Sequence, residues 1–298
     1  MLEKEIDMKT EDGRKTALAV GKFDGLHRGH QLLLNRILEE APKGLQPVVL
    51  TVEKPDQKEM LLTPEEFPEM LSSFGIGCRG TLLLTEEARQ TEAEDFIRET
   101  LLKQYRAGFI ATGNDFRFGR DREGDVSLLS AAGRRYGFDV EVFDRISEGE
   151  EEISSRRIRK ALKEGDVRLA RTLLGYPYFL TGTVMHGRAF GRTLGVPTLN
   201  FPFPGKKAPL MTGVYRTETE AGGKVYPSVT DYGFRPTFGG ETVPTVETHL
   251  IGDPGSLYGE TVRVRFLEFL RPEIRFDSKE ELIRQIRKDI ESSRFPAK

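Results

Sequence analysis

The order of the apolar runs along the chain changes near residue 180, and this change limits the folds that the chain can adopt. Before that point, short strand-like runs alternate with longer stretches that have helical periodicity. The strand-like runs are 17–20, 48–52, 109–112 and 140–143, and the helical stretches are 31–40, 93–104 and 128–136. Strands that alternate with helices predict an α/β fold, in which a parallel sheet carries helices on both faces.

Beyond residue 180, strand-like runs follow one another and are separated by turns. They are 179–185, 213–220, 224–229, 245–251 and 261–270. Ala221-Gly222-Gly223 has the composition of a hairpin turn between two of them. Ser278 and Glu281 form a capping box, Ser-x-x-Glu, at the start of one last helical stretch. Consecutive strands with glycine and proline between them predict a small β-barrel or sandwich, here with a terminal helix.

The chain has 298 residues, a length for which two domains are the usual number. The stretch 153–176 joins the two halves; it has helical periodicity and ends at Gly175-Tyr176-Pro177. Glycine and proline at such a point terminate a helix. We therefore predict one domain over 1–180 and a second over 181–298.

Composition and charge argue against several classes of function. The net charge of −2 gives no reason to expect a nucleic-acid partner. The longest apolar runs, about five to seven residues, are far shorter than the roughly 20 that a membrane helix needs. The charged first residues carry no apolar signal-peptide core. Cys78 is the only cysteine, which excludes an internal disulfide and suits a reducing compartment. These features predict a cytoplasmic protein that binds neither nucleic acid nor membrane.

One short stretch, VGKFDGLHRGHQ at 20–31, has residues suited to binding a ligand and lies at a predicted strand-to-helix junction. Its glycines allow a sharp turn and a close approach of the backbone to a ligand. The helix that follows offers unpaired N–H groups and the positive end of its dipole, which suit phosphate. His27 and His30 are three residues apart, so both fall on one helix face and could stabilise charge on a phosphate. The alternative is a tight turn whose histidines are simply exposed polar residues.

This stretch has the form Gly-x-Phe-Asp-Gly-x-His-x-Gly-His. It resembles the motif of the bacterial bifunctional riboflavin kinase/FMN adenylyltransferase family, also called FAD synthetases. The motif belongs to the adenylyltransferase half of that family, a Rossmann-like HxGH nucleotidyltransferase domain. The resemblance implies that His27 and His30 contact the phosphates of ATP as catalytic residues. It also implies a nucleotide-binding role for the rest of the loop: Gly21, Phe23, Asp24 and Gly25.

Two later stretches resemble the same family. TGNDFRFG, at 112–119, matches a segment whose Asp or Asn lies at the nucleotide, which implies this role for Asp115. ISSRRIRKAL, at 153–162, matches an element that helps to bind ATP, which implies binding by Ser155, Arg156 and Arg159. A serine at a helix N-terminus followed by arginines is also chemically suited to phosphate. Without the resemblance, the first stretch would be an ordinary loop and the second a capped, solvated helix.

The second half contains HGRAFGRTLGVPTLNF at 186–201, which resembles the phosphate-binding loop of the riboflavin kinase domain. The resemblance implies that the nucleotide phosphates are surrounded by Gly187, Gly191, Arg192 and Gly195. It further implies that Thr198 and Asn200 hold Mg²⁺, a hard cation that prefers oxygen ligands and keeps several waters. Without the resemblance, the stretch would be a glycine-rich turn before a strand.

The stretch VETHL at 246–250 resembles the segment that carries the general base of the kinase. The resemblance implies that Glu247 takes the proton from the ribityl 5′-hydroxyl of riboflavin, since an alcohol is a poor nucleophile until a carboxylate takes its proton. By itself, Glu247 would be an outward-facing strand residue.

As a whole, the resemblance implies a riboflavin kinase that makes FMN and an FMN adenylyltransferase that makes FAD and releases pyrophosphate. ATP is then the co-substrate and Mg²⁺ the cofactor. The expected partners are small molecules, namely riboflavin, FMN and ATP. We expect the chain to be a monomer or a weak homo-oligomer.

Three features depart from the family pattern. Arg156 stands where relatives commonly have Thr, and Asp231 stands where they commonly have Asn. The stretch TVEKPDQKEM at 51–60 lacks the Pro-His-Pro that relatives carry after the second strand. Two alternatives to the bifunctional enzyme therefore stay open. One is a riboflavin kinase whose adenylyltransferase domain is degenerate, and the other is a flavin- or nucleotide-binding regulator without turnover.

Overall fold

A computed structural model describes residues 13–185, 196–236 and 242–293. The chain divides into two compact units, 1–155 and 156–298. The first unit contains a parallel sheet with helices and the second an antiparallel barrel, so the predicted fold class is confirmed. This division lies before two helices, whereas the predicted domain boundary near residue 180 lies after them. The predicted boundary stays a prediction.

From residue 13 onward, where the structure describes the first unit, five parallel strands form its sheet, in the order β3-β2-β1-β4-β5. They are β1 (Thr16–Gly21), β2 (Gln46–Glu53), β3 (Arg79–Leu83), β4 (Ala107–Gly113) and β5 (Asp139–Phe143). The central strand, β1, pairs with β2 on one side and with β4 on the other. The strand order therefore reverses beside β1. In such sheets, ligands bind at the carboxyl ends of the strands at this switch point.

Helices connect the strands of the first unit. They are α1 (Arg28–Leu38), α2 (Phe67–Ser73), α3 (Glu86–Arg89), α4 (Ala93–Asp95) and α5 (Val126–Tyr136), with 3₁₀ turns at Ala41–Lys43 and Arg120–Arg122. The buried residues of α1 are Leu33, Leu34 and Ile37, whose spacing places them on one face. The predicted α-helix over 93–104 is α-helical only in its first turn, and Phe96–Gln104 continues it as a π-helix.

A short hairpin and two helices follow β5. The hairpin strands are β6 (Ser147–Glu148) and β7 (Glu151–Glu152), and the helices are α6 (Ser155–Lys163) and α7 (Val167–Leu174). Asp166 caps α7 by accepting a hydrogen bond from the backbone N–H of Leu169 at 2.8 Å. Gly175 ends α7 in the left-handed region, at a φ of 84°. The predicted helical stretch 153–176 therefore consists of two helices.

Within the described residues of the second unit, six antiparallel strands form the barrel, in the order β8-β13-β10-β11-β12-β9. They are β8 (Phe179–Thr183), β9 (Leu199–Pro202), β10 (Gly213–Ala221), β11 (Lys224–Pro236), β12 (Thr242–Leu250) and β13 (Thr261–Arg271). A bridge between Met185 and Asn200 joins the two ends of this order, so the barrel is nearly closed. Gly222 and Gly223 have positive φ and form the predicted turn between β10 and β11.

Hydroxyl groups as well as aromatic rings fill the interior of the barrel. The rings of Tyr215 and Phe266 meet edge to face with centroids 5.1 Å apart. Thr217, Thr230 and Thr248 are buried and form a chain of hydrogen bonds 2.8 and 2.9 Å long. Each of these three hydroxyls thereby has a partner, which offsets the cost of placing a polar group in the core.

Helix α8 (Lys279–Ser293) follows the barrel. The hydroxyl of Ser278 accepts a hydrogen bond from the backbone N–H of Glu281 at 3.2 Å, as the predicted capping box requires. Asp289 of α8 is buried and pairs with Arg271 of β13 at 2.8 Å. This ion pair fixes the terminal helix to the last strand of the barrel.

Candidate active sites

The loop between β1 and α1 has a tightly constrained backbone. Phe23 and Leu26 adopt left-handed φ angles of 45° and 41°, which residues other than glycine rarely do, and Gly25 lies between them at 86°. The side chains of Phe23 and Leu26 are fully buried, so packing holds a backbone that would otherwise be unfavourable. The core beneath the loop therefore shapes it before any ligand binds.

His27 and His30 stack against each other at the start of α1, with ring centroids 3.6 Å and planes 15° apart. His27 is the extended residue just before the helix, and the ring of His30 also lies 5.1 Å from that of Phe23. Gly29 lies close to the pair, because a Cβ at this position would be 3.2 Å from the His27 ring. His27 is only 7% exposed, so the alternative of simple exposed polar residues does not describe it.

The burial of the two histidines sets their charge. Burial lowers the pKa of His27 to about 4, against the opposing effect of a backbone hydrogen bond. Burial also lowers the pKa of His30 well below its ordinary value, and His27 adds to this effect. Both Nδ1 atoms are buried, and neither has a hydrogen-bond partner within the part of the chain that the structure describes. Neutral rings can still donate N–H bonds to phosphate oxygens, and a phosphate would in turn favour their protonation.

Two predicted binding residues at this loop have protein partners. Oδ1 of Asp24 accepts a hydrogen bond from the backbone N–H of Leu61, and the hydroxyl of Ser155 donates to the carbonyl oxygen of Asp24, each at 2.8 Å. These bonds bring the first residue of α6 to the loop. Further along α6, Arg156 is exposed and Arg159 is half-buried. A nucleotide-binding role for these residues stays a prediction.

Asp115 follows β4 and lies at the carboxyl edge of the sheet, where the histidine loop also lies. Its Oδ2 accepts a hydrogen bond from Arg145 at 2.7 Å, and Arg145 also pairs with Glu152. Burial acts to raise the pKa of Asp115, but the hydrogen bond and charge of Arg145, with the charge of Lys22, lower it overall. The sequence prediction includes Asp115 but misses Arg145. The available signal was the position of Arg145 just after a predicted strand.

A groove runs beside the carboxyl ends of β1 and β2. Its lining combines apolar and polar side chains, among them Lys22, Glu53, Gln57, Met60 and Phe67. This is the part of the chain that lacks the Pro-His-Pro of the family, and the sequence pattern did not indicate a groove here. The groove shares Phe23 and Asp24 with the histidine loop, so it lies next to that loop.

In the barrel, three polar residues lie in a row across neighbouring strands. Asn200 on β9 is paired with Glu247 on β12, and Glu247 is paired with Asp231 on β11. Directly opposed residues project from the same face of a sheet, with Cβ atoms about 4.5–5.5 Å apart. Val246 and Thr248, on either side of Glu247, are fully buried. Glu247 therefore projects from the outer face of the barrel, and Asn200 and Asp231 flank it there.

The donor atoms of this row suit a hard cation. Thr198 is two residues before Asn200, whose amide nitrogen lies 3.5 Å from the carbonyl oxygen of Thr198. Hydroxyl, amide and carboxylate oxygens are the ligands that Mg²⁺ prefers, together with water and phosphate. The described residues contain no group of three or more His, Cys, Asp or Glu side chains arranged to hold a metal. The predicted loop residues Gly187, Gly191, Arg192 and Gly195 lie outside the described residues.

His249 was not among the predicted site residues, yet it holds part of the barrel site in place. Its Nδ1 lies 2.9 Å from the carbonyl oxygen of Pro197, in hydrogen-bonding contact. This bond ties the residue before Thr198 to the strand that carries Glu247. The two bonded residues are 52 positions apart, so no local sequence pattern could have indicated the contact.

Known proteins resemble both units. The family model for FAD synthetase matches residues 9–157, and the family model for riboflavin kinase matches residues 174–295. The chain is 37% identical to a bifunctional riboflavin kinase/FMN adenylyltransferase of Escherichia coli (strain K12), over 91% of this chain and 90% of the relative. It is 35% identical to a protein of the same name from Pseudomonas fluorescens, over 94% of this chain and 93% of the relative.

A solved structure also resembles the whole chain. It is described as a macrolide-efflux protein from Streptococcus pneumoniae. The two structures superpose with a TM-score of 0.85 and 29% sequence identity, over 98% of this chain and 97% of the other chain. That description belongs to the other protein. In the described part of the present chain, no helix is long and apolar enough to span a membrane.

Proposed function

This chain belongs to the bifunctional riboflavin kinase/FMN adenylyltransferase family, and from that membership we infer how its residues divide two reactions. It is an enzyme of FAD biosynthesis. It phosphorylates riboflavin to FMN with ATP, and it adenylylates FMN to FAD with a second ATP. The observation that carries this conclusion is the presence of both matching catalytic domains in one chain.

We assign adenylyl transfer to residues 1–180 and the kinase reaction to residues 181–298. The match to FAD synthetase ends at residue 157 and the match to riboflavin kinase begins at residue 174, which supports a boundary in this region. The end of α7 at Gly175, followed by Pro177, supports a position close to residue 180.

For adenylyl transfer, we assign the loop between β1 and α1 to the phosphates of ATP. A phosphate oxygen of FMN bonds to the α-phosphorus while the bond from that phosphorus to the β-phosphate oxygen breaks, and pyrophosphate leaves. The rings of His27 and His30 bind the oxygens on which charge accumulates, together with N–H groups of the first turn of α1. Loss of one such donor typically costs about 10²–10³ in kcat.

For phosphoryl transfer, we assign Glu247 as the general base. It takes the proton of the ribityl 5′-hydroxyl, whose oxygen bonds to the γ-phosphorus while the bond from that phosphorus to ADP breaks. Thr198 and Asn200, the latter directly opposite Glu247, would hold Mg²⁺. When bound, this ion neutralises charge on the phosphates. Asn200 on β9 lies directly opposite Glu247 on β12, and this pairing supports a metal site next to the general base.

A chromatographic assay of riboflavin, FMN and FAD tests this division. Glu247→Ala should reduce FMN formation by about 10²-fold or more, because the general base is lost, and should leave the conversion of supplied FMN to FAD intact. His30→Ala should have the reverse effect. If each substitution removed both activities from a protein that stays folded, the assignment of two sites would be wrong.

The same assay separates the bifunctional enzyme from its two alternatives. Wild-type chain incubated with FMN, ATP and Mg²⁺ should produce FAD. A riboflavin kinase with a degenerate first domain would produce FMN from riboflavin but no FAD. A regulator without turnover would give no product from either substrate.

We also propose that the enzyme acts in the cytoplasm, as a monomer or weak homo-oligomer and without nucleic acid. The single cysteine supports a reducing compartment, and the net charge of −2 gives nucleic acid no general attraction. Light scattering after gel filtration measures the mass in solution, and a large stable oligomer would contradict this proposal.

A further inference from the structure

An acidic hairpin stands at the edge of the histidine site. The sequence Glu-Gly-Glu-Glu-Glu at 148–152 spans the turn between β6 and β7. Glu148 pairs with Arg28 at 2.5 Å, and Glu152 pairs with Arg145. Resting on the adenylyl transfer assigned above, we propose that Arg28 and Arg145 bind the polyphosphate of ATP. The hairpin carboxylates occupy the two arginines until the nucleotide displaces them.

Arg28 is placed for this role by the start of α1. It is the first residue of the helix and stands in sequence between the two stacked histidines. The hairpin reaches the same turn through Ile146, whose Cγ1 would lie 3.9 Å from a Cβ on Gly29. A hydrogen bond of 2.8 Å from the backbone N–H of Ile153 to the carbonyl of Ile146 closes the base of the hairpin. The acidic residues are therefore held beside the histidine turn.

Arg145 brings a second guanidinium to the same edge. It donates to Asp115 at 2.7 Å and also to Glu152. The charge of Lys22 acts on Asp115 as well, so three cations, Lys22, Arg28 and Arg145, are associated with this edge of the sheet. A guanidinium binds phosphate through two parallel hydrogen bonds and is well suited to recognise it. Cationic side chains thus follow β1 and β5, beside Asp115 at the end of β4, and an anionic ligand at this edge could contact them.

The ion pairs of the hairpin are weak enough to be exchanged. The side chains of Arg28 and Glu148 are 41% and 38% exposed, and those of Arg145 and Glu152 are 47% and 54% exposed. Water screens pairs of this kind, so each contributes little to stability. A triphosphate carries more charge than a carboxylate and offers several oxygens to each arginine. Exchange of carboxylate for phosphate therefore favours the nucleotide, and the hairpin lowers its apparent affinity.

The double variant Glu148→Gln/Glu152→Gln, in the full chain, tests the proposal. Glutamine keeps the size of the side chain and removes the competing charge. The KM for ATP in FMN adenylylation, and for pyrophosphate in the reverse reaction, should each fall about two- to fivefold. The larger share should come from Arg28, because Asp115 still pairs with Arg145 in this variant. Arg145→Gln should raise both KM values. The matched control is Glu99→Gln, which breaks an exposed pair with Lys103 on another helix and should change neither KM.

A KM that rises or stays constant in the double variant would overturn the proposal, because the two ion pairs would then be purely structural. Calorimetric titration of the full chain with magnesium pyrophosphate makes the same comparison without turnover, and the affinity should rise in the double variant and fall in Arg145→Gln. If the wild-type chain made no FAD from FMN, the assigned function would fail. The pyrophosphate affinities would still decide the role of the hairpin.

Discussion

The burial of His27 makes the stability of the folded chain depend on pH. Burial lowers its pKa in the folded chain from 6.5 to about 4. Between these values the unfolded chain binds a proton that the folded chain does not bind, so the free energy of unfolding falls as the pH falls. For this group alone the loss at about pH 5 is about 2 kcal/mol, and no loss occurs above about pH 7.

We therefore expect His27→Gln to lose less stability than the wild-type chain when the pH falls from about 8 to about 5, because glutamine binds no proton. Urea unfolding at both pH values measures the change, and the value at the higher pH serves as the reference for each protein. Equal losses in the two proteins would show that His27 does not cause the acid destabilisation.

The same site shows which residues a sequence can indicate. Glycines after a strand, and polar residues at strand ends, mark the edge at which a parallel sheet binds ligands. This rule predicts His27 and His30, whereas Asp115 was predicted only from the family resemblance. The structure places all three at that edge. Arg145 also follows a predicted strand, but nothing local indicates its contact with Asp115, which is 30 residues away. Contacts of this kind depend on the folded arrangement of strands and leave no local pattern.

Strand β3 is an element that the sequence pattern did not predict. It is only five residues long, and Gly80 in its interior weakens a strand pattern. The structure supplies the reason for this glycine. Tyr105, which follows the π-helical segment, is fully buried, and a Cβ at Gly80 would be 2.1 Å from its hydroxyl oxygen. The strand and the end of the π-helical segment therefore meet at a position where no side chain fits.

Gly80→Ala should accordingly destabilise the first unit by about 2–3 kcal/mol, because either the ring or the strand must move. Gly77→Ala is the matched control, since a Cβ there would meet nothing within 4 Å. Urea unfolding of both variants measures the difference. A loss of equal size in the two variants would point to the flexibility of glycine and not to contact with Tyr105.

In the barrel, too, local sequence patterns predicted individual strands but not the pairing of strands that are far apart in the chain. The long strands of the barrel were predicted from their apolar runs, whereas β9, with only four residues, was indicated only as a strand after the glycine-rich turn. The pairing of β9 with β12 and of β8 with β13 joins segments far apart in the chain. A choice between barrel and sandwich depends on these pairings, so the sequence pattern left both open. The row of Asn200, Glu247 and Asp231 exists only once the strands are in register.

The whole chain carries its proposed catalytic residues in different units, His27 and His30 in one and Glu247 in the other. FMN, the product of one reaction, is a small molecule that can diffuse to another chain. A mixture of His30→Ala and Glu247→Ala chains should therefore convert riboflavin to FAD, although neither variant does so alone. Chromatography of the flavins measures this. A mixture that accumulates FMN without FAD would mean that FMN must be used by the chain that made it.

The pairing of β8 with β13 also governs the order of events during synthesis. β8 is the first barrel strand to leave the ribosome and β13 is the last, and β13 lies between β8 and β10 in the sheet. Until Thr261–Arg271 emerges, β8 and β10 each expose an edge of unpaired backbone groups. Such edges can pair with other nascent chains. A stalled or prematurely terminated chain is therefore expected to aggregate through the second unit, whereas the parallel sheet, whose last strand ends at Phe143, can already be complete.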